Sequence, residues 1–593
     1  MTIGNLLFIE PFAGLWRHSQ IQTRLARHLS SSGQRVIILQ CDSVGLNSCS
    51  YYYYRKHGSA KSLTQNNCCK ECLIRSSGRF RVLSSPNLSF RNMSPFSDLW
   101  HSVEFENEGR ELLNWEWRGM PVGKFAAYDV SLNWKTHPYE AIKIDKQRFL
   151  DDLRNSIVIL ENVVKLAEEV NLDAIVLHNG LYSSNRATWE WAKQKRIPIL
   201  DIRNVANQKY RDNRYTVFDT LSEKFYPRIA DFWEIRREIA LNRNQCQETF
   251  DYILSHLRNR TPFSYSSSIS KSLNNRKDSK VGSRGSVLVI FNSLDERRTA
   301  QFCGLNLDER YVFVNELIEF CLKIAKRCKD IDFVFRLHPR MYANHRDQIE
   351  SIDVKETDRL LSDVPKNVFV DKARQNTNSI YDLAERAHLI LSFGSSAGLI
   401  LSAIGHKVVL GASEFDWWNP REIYAKSING LEVEEMAQYL ESQFKENNTN
   451  FSRKHQIYAL RFLFFSQFSL STDEGIGNIV STFKDVNHKN IRNVWTNLSK
   501  SNPFRIITDL FCHFIKDLRK VNCFRSVRIY LNTILTVSNN SNFIKDGFLE
   551  NLANNNWQNP LEALLNCNQT GEANSVNGND ELELIELINR EIF

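Results

Sequence analysis

Hydrophobic positions along this chain fall into short unbroken runs separated by amphipathic stretches. Leu6-Leu7-Phe8-Ile9 is one such run, followed by a turn through Gly14 and by Ile21, Leu25 and Leu29 at helical spacing. Gly33 closes that helix and Val36-Ile37-Ile38-Leu39 is the next run, so the pattern predicts a βαβ unit. Buried runs without alternation are what a parallel sheet covered on both faces requires. Residues 42–125 break the pattern with tyrosines, cysteines and many Ser, Asn and Arg, and predict an insertion with little regular structure. A helix is predicted over about 146–170, a strand at Ala174-Ile175-Val176-Leu177, a helix capped by Ser183 or Ser184, and a strand at Ile197-Pro198-Ile199-Leu200.

Residues 262–286 are Ser-rich and basic with few apolar anchors, the composition of a linker. A second α/β series follows: strands at 287–291, 333–337, 368–370, 389–391 and 407–410, with helices at 311–327 and 397–404. The expected organisation is an N-terminal Rossmann-like domain over 1–261, with its insertion at about 42–125, the linker at 262–286, and a second Rossmann-like domain over 287–430. A helical extension and Asn-rich tail complete it over 431–593. Two doubly wound halves place a ligand in the cleft between them, at the carboxyl ends of the strands.

Composition changes this picture little. At 593 residues, 42% hydrophobic and 24% charged, the chain has the balance of an ordinary multidomain globular protein. The net charge of +8 is small for the size, so no nucleic-acid partner is expected. No run reaches the length of a membrane span, and the first residues, MTIGNLLFIEPFAGLW, lack the features of a secretion signal. A cytoplasmic location is expected.

Candidate chemistry lies at the predicted strand ends. In Arg336-Leu337-His338-Pro339-Arg340, alternation puts Phe333, Phe335 and Leu337 on one face and Arg336 and His338 on the other, and Pro339 ends the ladder. A phosphate there would meet a guanidinium and an imidazole. Ser392-Phe393-Gly394-Ser395-Ser396-Ala397-Gly398 joins a strand to a helix, with hydroxyls of Ser395 and Ser396, helix amides, and glycines that let a ligand approach the backbone. Neither GxxxxGK[ST] nor a full GxGxxG is present, which removes the usual signatures of ATP hydrolysis and dinucleotide binding. Glu10 and His18 flank the Gly14 turn and are the candidates to take a proton from an acceptor hydroxyl, while Asn179 and Arg186 are expected to line the cleft from the second unit.

The ordered set of Asn292-Ser293-Leu294-Asp295, Arg336-Leu337-His338-Pro339, Ser395-Ser396-Ala397-Gly398-Leu399 and Gly405-His406-Lys407 resembles the capsule polysaccharide biosynthesis family of GT-B glycosyltransferases. The wider kinship includes Kdo transferases, HP-motif sialyltransferases and teichoic-acid polymerases, and the resemblance covers roughly residues 1–425. It implies a GT-B-like fold, transfer of a sugar from a nucleotide-activated donor to a surface polysaccharide or glycolipid, and catalysis without a metal cofactor. Asn292, Arg336, His338, Ser395, Ser396 and Gly398 would hold the donor, and Gly14, Asn179 and Arg186 would lie on the acceptor side. Ile400 stands where many relatives carry the glutamate that contacts the donor ribose, and Gly405-His406-Lys407-Val408 where they carry Gly-Lys-Pro. A glycerophosphate-type phosphotransferase and a non-catalytic protein of the same fold are the alternatives.

Two features stand outside that chemistry. Cys41, Cys49, Cys69 and Cys72, with Cys68 as an alternate, have spacing compatible with a structural zinc site or an iron–sulfur cluster, or are reduced thiols with an occasional disulfide. Residues 500–530 are basic, with Ile507, Leu510, Phe511, Phe514, Ile515 and Leu518 at helical spacing. That stretch is expected either to touch the inner face of the cytoplasmic membrane or to pack on the second domain.

Overall fold

The structure, a computed structural model, describes residues 5–12, 16–31, 33–41, 49, 52, 64–82, 85–94, 110–204, 214–219, 233, 237–257, 285–293, 295–304, 314–343, 348–372, 379–411, 420–428, 432–445, 452–466, 472–473, 582 and 585–586. Gly14, nearly all of the linker, the basic stretch at 500–530 and most of the Asn-rich tail lie outside these residues.

The first sheet is built on β1 (Asn5–Glu10), β2 (Arg35–Gln40), β3 (Leu88–Asn92), β4 (Ala174–His178), β5 (Ile199–Asn204) and β6 (Arg214–Asp219). Its five parallel strands run in the order β3-β2-β1-β4-β5, with β6 antiparallel beside β5. Register is fixed by the apolar runs: Leu6 sits opposite both Val36 and Ala174, and Phe8 opposite Ile38 and Val176. Helices α1 (Trp16–Ser31), α2 (Gln65–Val82), α3 (Val122–Trp134), α4 (Pro138–Ile144), α5 (Lys146–Glu169), α6 (Ser183–Gln194) and α7 (Arg243–Leu257) accompany it. The segment 42–125, expected to be irregular, carries α2, β3 and the start of α3. The short β3, LSFRN, is half exposed at the sheet's edge and has too few buried positions to stand out as an apolar run. In α2, Arg and Cys positions and Gly78 interrupt any apolar stripe.

The second sheet contains β7 (Ser286–Ile290), β8 (Asp332–Arg336), β9 (Val368–Asp371), β10 (Leu389–Ser392), β11 (Val408–Leu410) and β12 (Lys426–Ser427), all parallel, in the order β9-β8-β7-β10-β11-β12. Its helices are α8 (Asp295–Phe302), α9 (Val314–Arg327), α10 (Asp353–Leu360), α11 (Ile380–Ala384) and α12 (Ser396–Ala403). Both sheets thus repeat the doubly wound order, reversing between β1 and β4 in one and between β7 and β10 in the other. The protein is α/β, with two Rossmann-like domains. As the alternation predicts, Phe333, Phe335 and Leu337 share one apolar core, while Val334 packs against the other.

Two helices beyond residue 430 return to these domains. α13 (Val433–Lys445) packs on α9, and α14 (Arg453–Phe464) lies against α12 and α7. There Trp233 packs edge-on against Phe462 at 5.3 Å between ring centroids, Tyr458 donates to Glu238 Oε1 at 2.7 Å, and Arg461 donates to the Arg237 carbonyl at 2.6 Å. One apolar cluster therefore runs from Leu6, Phe8 and Trp233 through Phe462 and Leu463 to Leu288 and Ile390. The chain then returns to the first sheet, where β13 (Thr472–Asp473) pairs antiparallel with β6.

Candidate functional site

The second sheet's switch point brings three predicted segments together. β7 and β10 are neighbours, and Asn292 just beyond β7 donates through Nδ2 to the Gly394 carbonyl just beyond β10 at 2.8 Å. Asn292 therefore positions the serine turn. β8 flanks β7 on its other side, so the strands that lead to His338 and Ser395 stand two interstrand steps apart, about 10 Å. Beneath them the Phe291 ring meets Phe335 at 5.3 Å and stacks on Phe393 at 5.9 Å, a rigid apolar floor.

Within the serine turn the roles divide. Ser395 is buried and caps α12, its Oγ accepting from Ala397 N at 3.3 Å, whereas Ser396 is exposed. Gly394 has φ +71°, the left-handed conformation that glycine adopts without penalty. Gly398, expected to admit a ligand, instead faces the sheet. A Cβ there would lie 2.5 Å from Ser392 Oγ and 2.9 Å from Ser392 Cβ, so the glycine lets α12 approach β10. Gly398→Ala should lower stability by about 1–3 kcal/mol, the scale of an overpacked core contact, measured by urea unfolding. A change below 0.5 kcal/mol would show that helix and strand can separate at no cost.

Arg336 and His338 are also placed by local chemistry. Arg336 is buried and gives Nη1 to Asp371 Oδ2 at 2.7 Å, because parallel register sets these two strand-end residues side by side. Half of the expected phosphate fork is thus already paired. His338 begins a short 3₁₀ turn, its Nδ1 accepting from Arg340 N at 3.2 Å, which leaves the ring proton on Nε2. Burial, with Arg340, Arg336 and Lys135 nearby and only partly offset by Asp295, pushes the imidazole down to about 4, so at neutral pH it is an uncharged donor.

Sequence reasoning missed the polar lock between the domains. Lys135, at the end of α3, adopts φ +48° and is fully buried. Its Nζ donates to the carbonyls of Arg340 at 2.6 Å and Ile349 at 2.7 Å, and its own carbonyl accepts from Ile352 N at 3.0 Å and Arg298 Nη2 at 3.1 Å. Arg298 binds Asp353 Oδ2 at 2.6 Å and Asp295 Oδ1 at 3.0 Å, and Ser351 donates to Asp295 Oδ1 at 2.7 Å. Because Arg340 follows His338 by two residues and Asp295 opens the helix after β7, the lock turns the second sheet's carboxyl edge toward the first domain. The one available signal was the i,i+3 spacing of Asp295 and Arg298 in DERRTAQF.

On the first domain, Glu10 ends β1 with only 2% of its surface exposed, and His18 lies on α1. Asn179 has φ +60° and turns the chain out of β4, its Oδ1 accepting from Leu181 N at 3.1 Å, while Gly180 N donates to Asp201 Oδ1 at 3.2 Å. Ser183 fixes the start of α6 by donating its N–H and hydroxyl to Asp129 Oδ2. Behind it burial raises the Asp129 carboxyl and pushes Asp152 up to about 7, although Arg148 Nε lies 2.7 Å from Asp152 Oδ2. Arg186 does not line the cleft. It is buried over the Phe125 and Trp189 rings, at 5.6 and 4.4 Å, and paired with Glu190, because its place in the first turn of α6 faces α3. Cys41, Cys49, Cys69 and Cys72 line one small pocket with Pro11, Phe12 and Leu73.

No protein-family model matches the chain, and no curated protein matches it. Among solved structures it is similar to the Thermosulfurimonas dismutans KpsC, a beta Kdo 2,4 transferase, at 11% identity and TM-score 0.30 over 49% of this chain and 79% of that one. It is similar to the Methanocaldococcus jannaschii UDP-GlcNAc 2-epimerase, in complex with UDP-GlcNAc and UDP, at 13% identity and TM-score 0.27 over 77% and 98%. It is likewise similar to the glycotransferase of kitacinnamycin at 12% identity and TM-score 0.22 over 79% and 96%. At such scores the likenesses carry no weight, and the architecture stands on the chain's own sheet orders.

Proposed function

We propose that the chain is a glycosyltransferase of GT-B type that moves a sugar from a nucleotide-activated donor to a polysaccharide or glycolipid acceptor. The observation that supports this most is the second domain's switch point, where neutral His338, the Asn292-bridged serine turn and exposed Ser396 share a carboxyl edge turned toward the first domain. His338 Nε2–H and Ser396 would neutralise charge developing on the departing phosphate, with Arg336 contributing its field from behind Asp371. No step of this leaving-group stabilisation needs a bound metal. The acceptor would meet the first domain at the ends of β1 and β4, in the cytoplasm, and the basic stretch at 500–530 would hold the protein against the inner membrane surface.

His338→Ala should weaken binding of a nucleotide sugar by ~1.5–3 kcal/mol, or roughly 10- to 150-fold, with the fold intact by circular dichroism. Titration calorimetry against UDP, CMP, GDP and CDP sugars measures it and identifies the donor. Unchanged affinity in the folded variant would remove the strand end from the donor site. Because a neutral donor needs no proton, wild-type affinity should stay within about twofold from pH 5.5 to 8. A protonated imidazole with an ordinary value near 6.5 would instead lose affinity by more than tenfold over that range.

One observation favours the non-catalytic alternative. Ile400 is 2% exposed and packs among Ile390, Leu288 and Ala403, so the position where many relatives carry the ribose-contacting glutamate is part of the apolar core. Nucleotide binding without turnover on any acceptor would support it.

A further inference from the structure

We propose that Cys41, Cys49, Cys69 and Cys72 form a four-thiolate site for one zinc ion beside the end of β1. The four residues come from two segments of the chain. Cys41 follows β2 directly, Cys49 lies further along the same connection, and Cys69 and Cys72 are carried by α2. All four nevertheless line a single pocket, together with Pro11, Phe12 and Leu73. Residues three apart on a helix share a face, so Cys69 and Cys72 present two ligands from one turn. Cys68, their neighbour, is buried in a small apolar cluster with Phe12, Val158 and Cys49, against which Cys41 also packs. Of the three cysteines on α2, Cys69 and Cys72 line the pocket and Cys68 does not.

Size favours a single ion over a cluster. The pocket holds about 20 Å³, the room of one water molecule or one ion, whereas a cluster of several irons and sulfides needs far more. Zinc takes four thiolates tetrahedrally at about 2.3 Å, which places the sulfurs about 3.8 Å apart. Among the described residues no three His, Cys, Asp or Glu side chains stand ready to hold an ion. Binding therefore requires the turn of α2 carrying Cys69 and Cys72 to close on Cys41 and Cys49, which couples the metal to local folding. The pocket abuts Pro11 and Phe12, which follow Glu10, so the ion would pin the strand end that the transfer reaction uses.

Full-length protein, produced with zinc in the medium and purified under argon with reductant and no chelator, should contain about one zinc per chain by mass spectrometry and be colourless. Cys69→Ser with Cys72→Ser should bring zinc below 0.2 per chain, while Cys68→Ser keeps it. A second readout does not depend on variants folding. Alkylation followed by peptide mapping should spare Cys41, Cys49, Cys69 and Cys72 in the wild type until a chelator has removed the zinc, detected by a colorimetric zinc dye. Less than 0.1 zinc per chain, zinc retained in the double variant, or equal alkylation before and after chelation would each overturn the site. Iron with acid-labile sulfide in a brown protein would overturn the single ion.

Discussion

Replacing Arg298 by methionine is expected to destabilise the protein by about 3–5 kcal/mol, the cost of leaving buried charge uncompensated. The Arg298 side chain has 0% exposure and neutralises Asp353 at 2.6 Å and Asp295 at 3.0 Å. Methionine fills much of the volume but leaves two carboxylates joined by Ser351, with Arg340 Nε at 4.0 Å from Asp295 Oδ2. Burial already raises the Asp353 carboxyl, and Arg298 is the main influence lowering it. Without that influence its folded-state value rises further above the unfolded one, so folded protein binds more protons than unfolded protein. The variant's deficit should accordingly grow as pH rises from 5 to 7.5 and shrink on acidification. Urea unfolding midpoints at the two pH values measure this. A deficit below 1 kcal/mol, or one that shrinks as pH rises, would show that the lock is not held by charge compensation. Since Arg298 also donates to the Lys135 carbonyl, the same variant should loosen the contact between domains, seen as faster amide exchange in residues 348–353.

That lock illustrates what the sequence conceals. The strands were legible because parallel strands buried on both faces leave uninterrupted apolar runs, as in Leu6-Leu7-Phe8-Ile9 and Val287-Leu288-Val289-Ile290. The strand-end motifs were legible because a strand must stop at Pro339 and a helix must start after Ser395. Neither Lys135 nor Asp353 lies in any local pattern, and each acquires its role from a partner more than 50 residues away. Arg186 misled for a related reason. Its position after a strand end is right for a ligand contact, but helical phase turns it onto Trp189 and Glu190. At Gly398 the sequence predicts the approach of a ligand, whereas the group that approaches is Ser392 of the neighbouring strand, a contact set by tertiary packing that no local pattern shows.

Glu10→Gln tests the other half of the proposed transfer reaction and should have the largest kinetic effect, a fall in kcat of about 10²- to 10⁴-fold, the range of a lost general base. Inverting or retaining, the acceptor hydroxyl must lose its proton, and the group that takes it has to sit where the acceptor domain meets the donor. Glu10 is the last residue of β1, the middle one of the first sheet's five parallel strands, adjoining the switch between β1 and β4. Glutamine keeps the shape and can still accept a hydrogen bond, so donor affinity should stay within about threefold while turnover collapses. That split separates a proton acceptor from a packing residue, because mispacking at a position 2% exposed would lower stability and binding together. Turnover within about threefold of wild type would move the role elsewhere, with His18 on α1 the next residue to replace. The burial of Glu10 also bears on the cysteine pocket, whose walls include Pro11 and Phe12. If zinc fixes that wall, chelation should depress turnover without changing donor affinity, whereas the donor-side variant His338→Ala changes affinity with zinc in place.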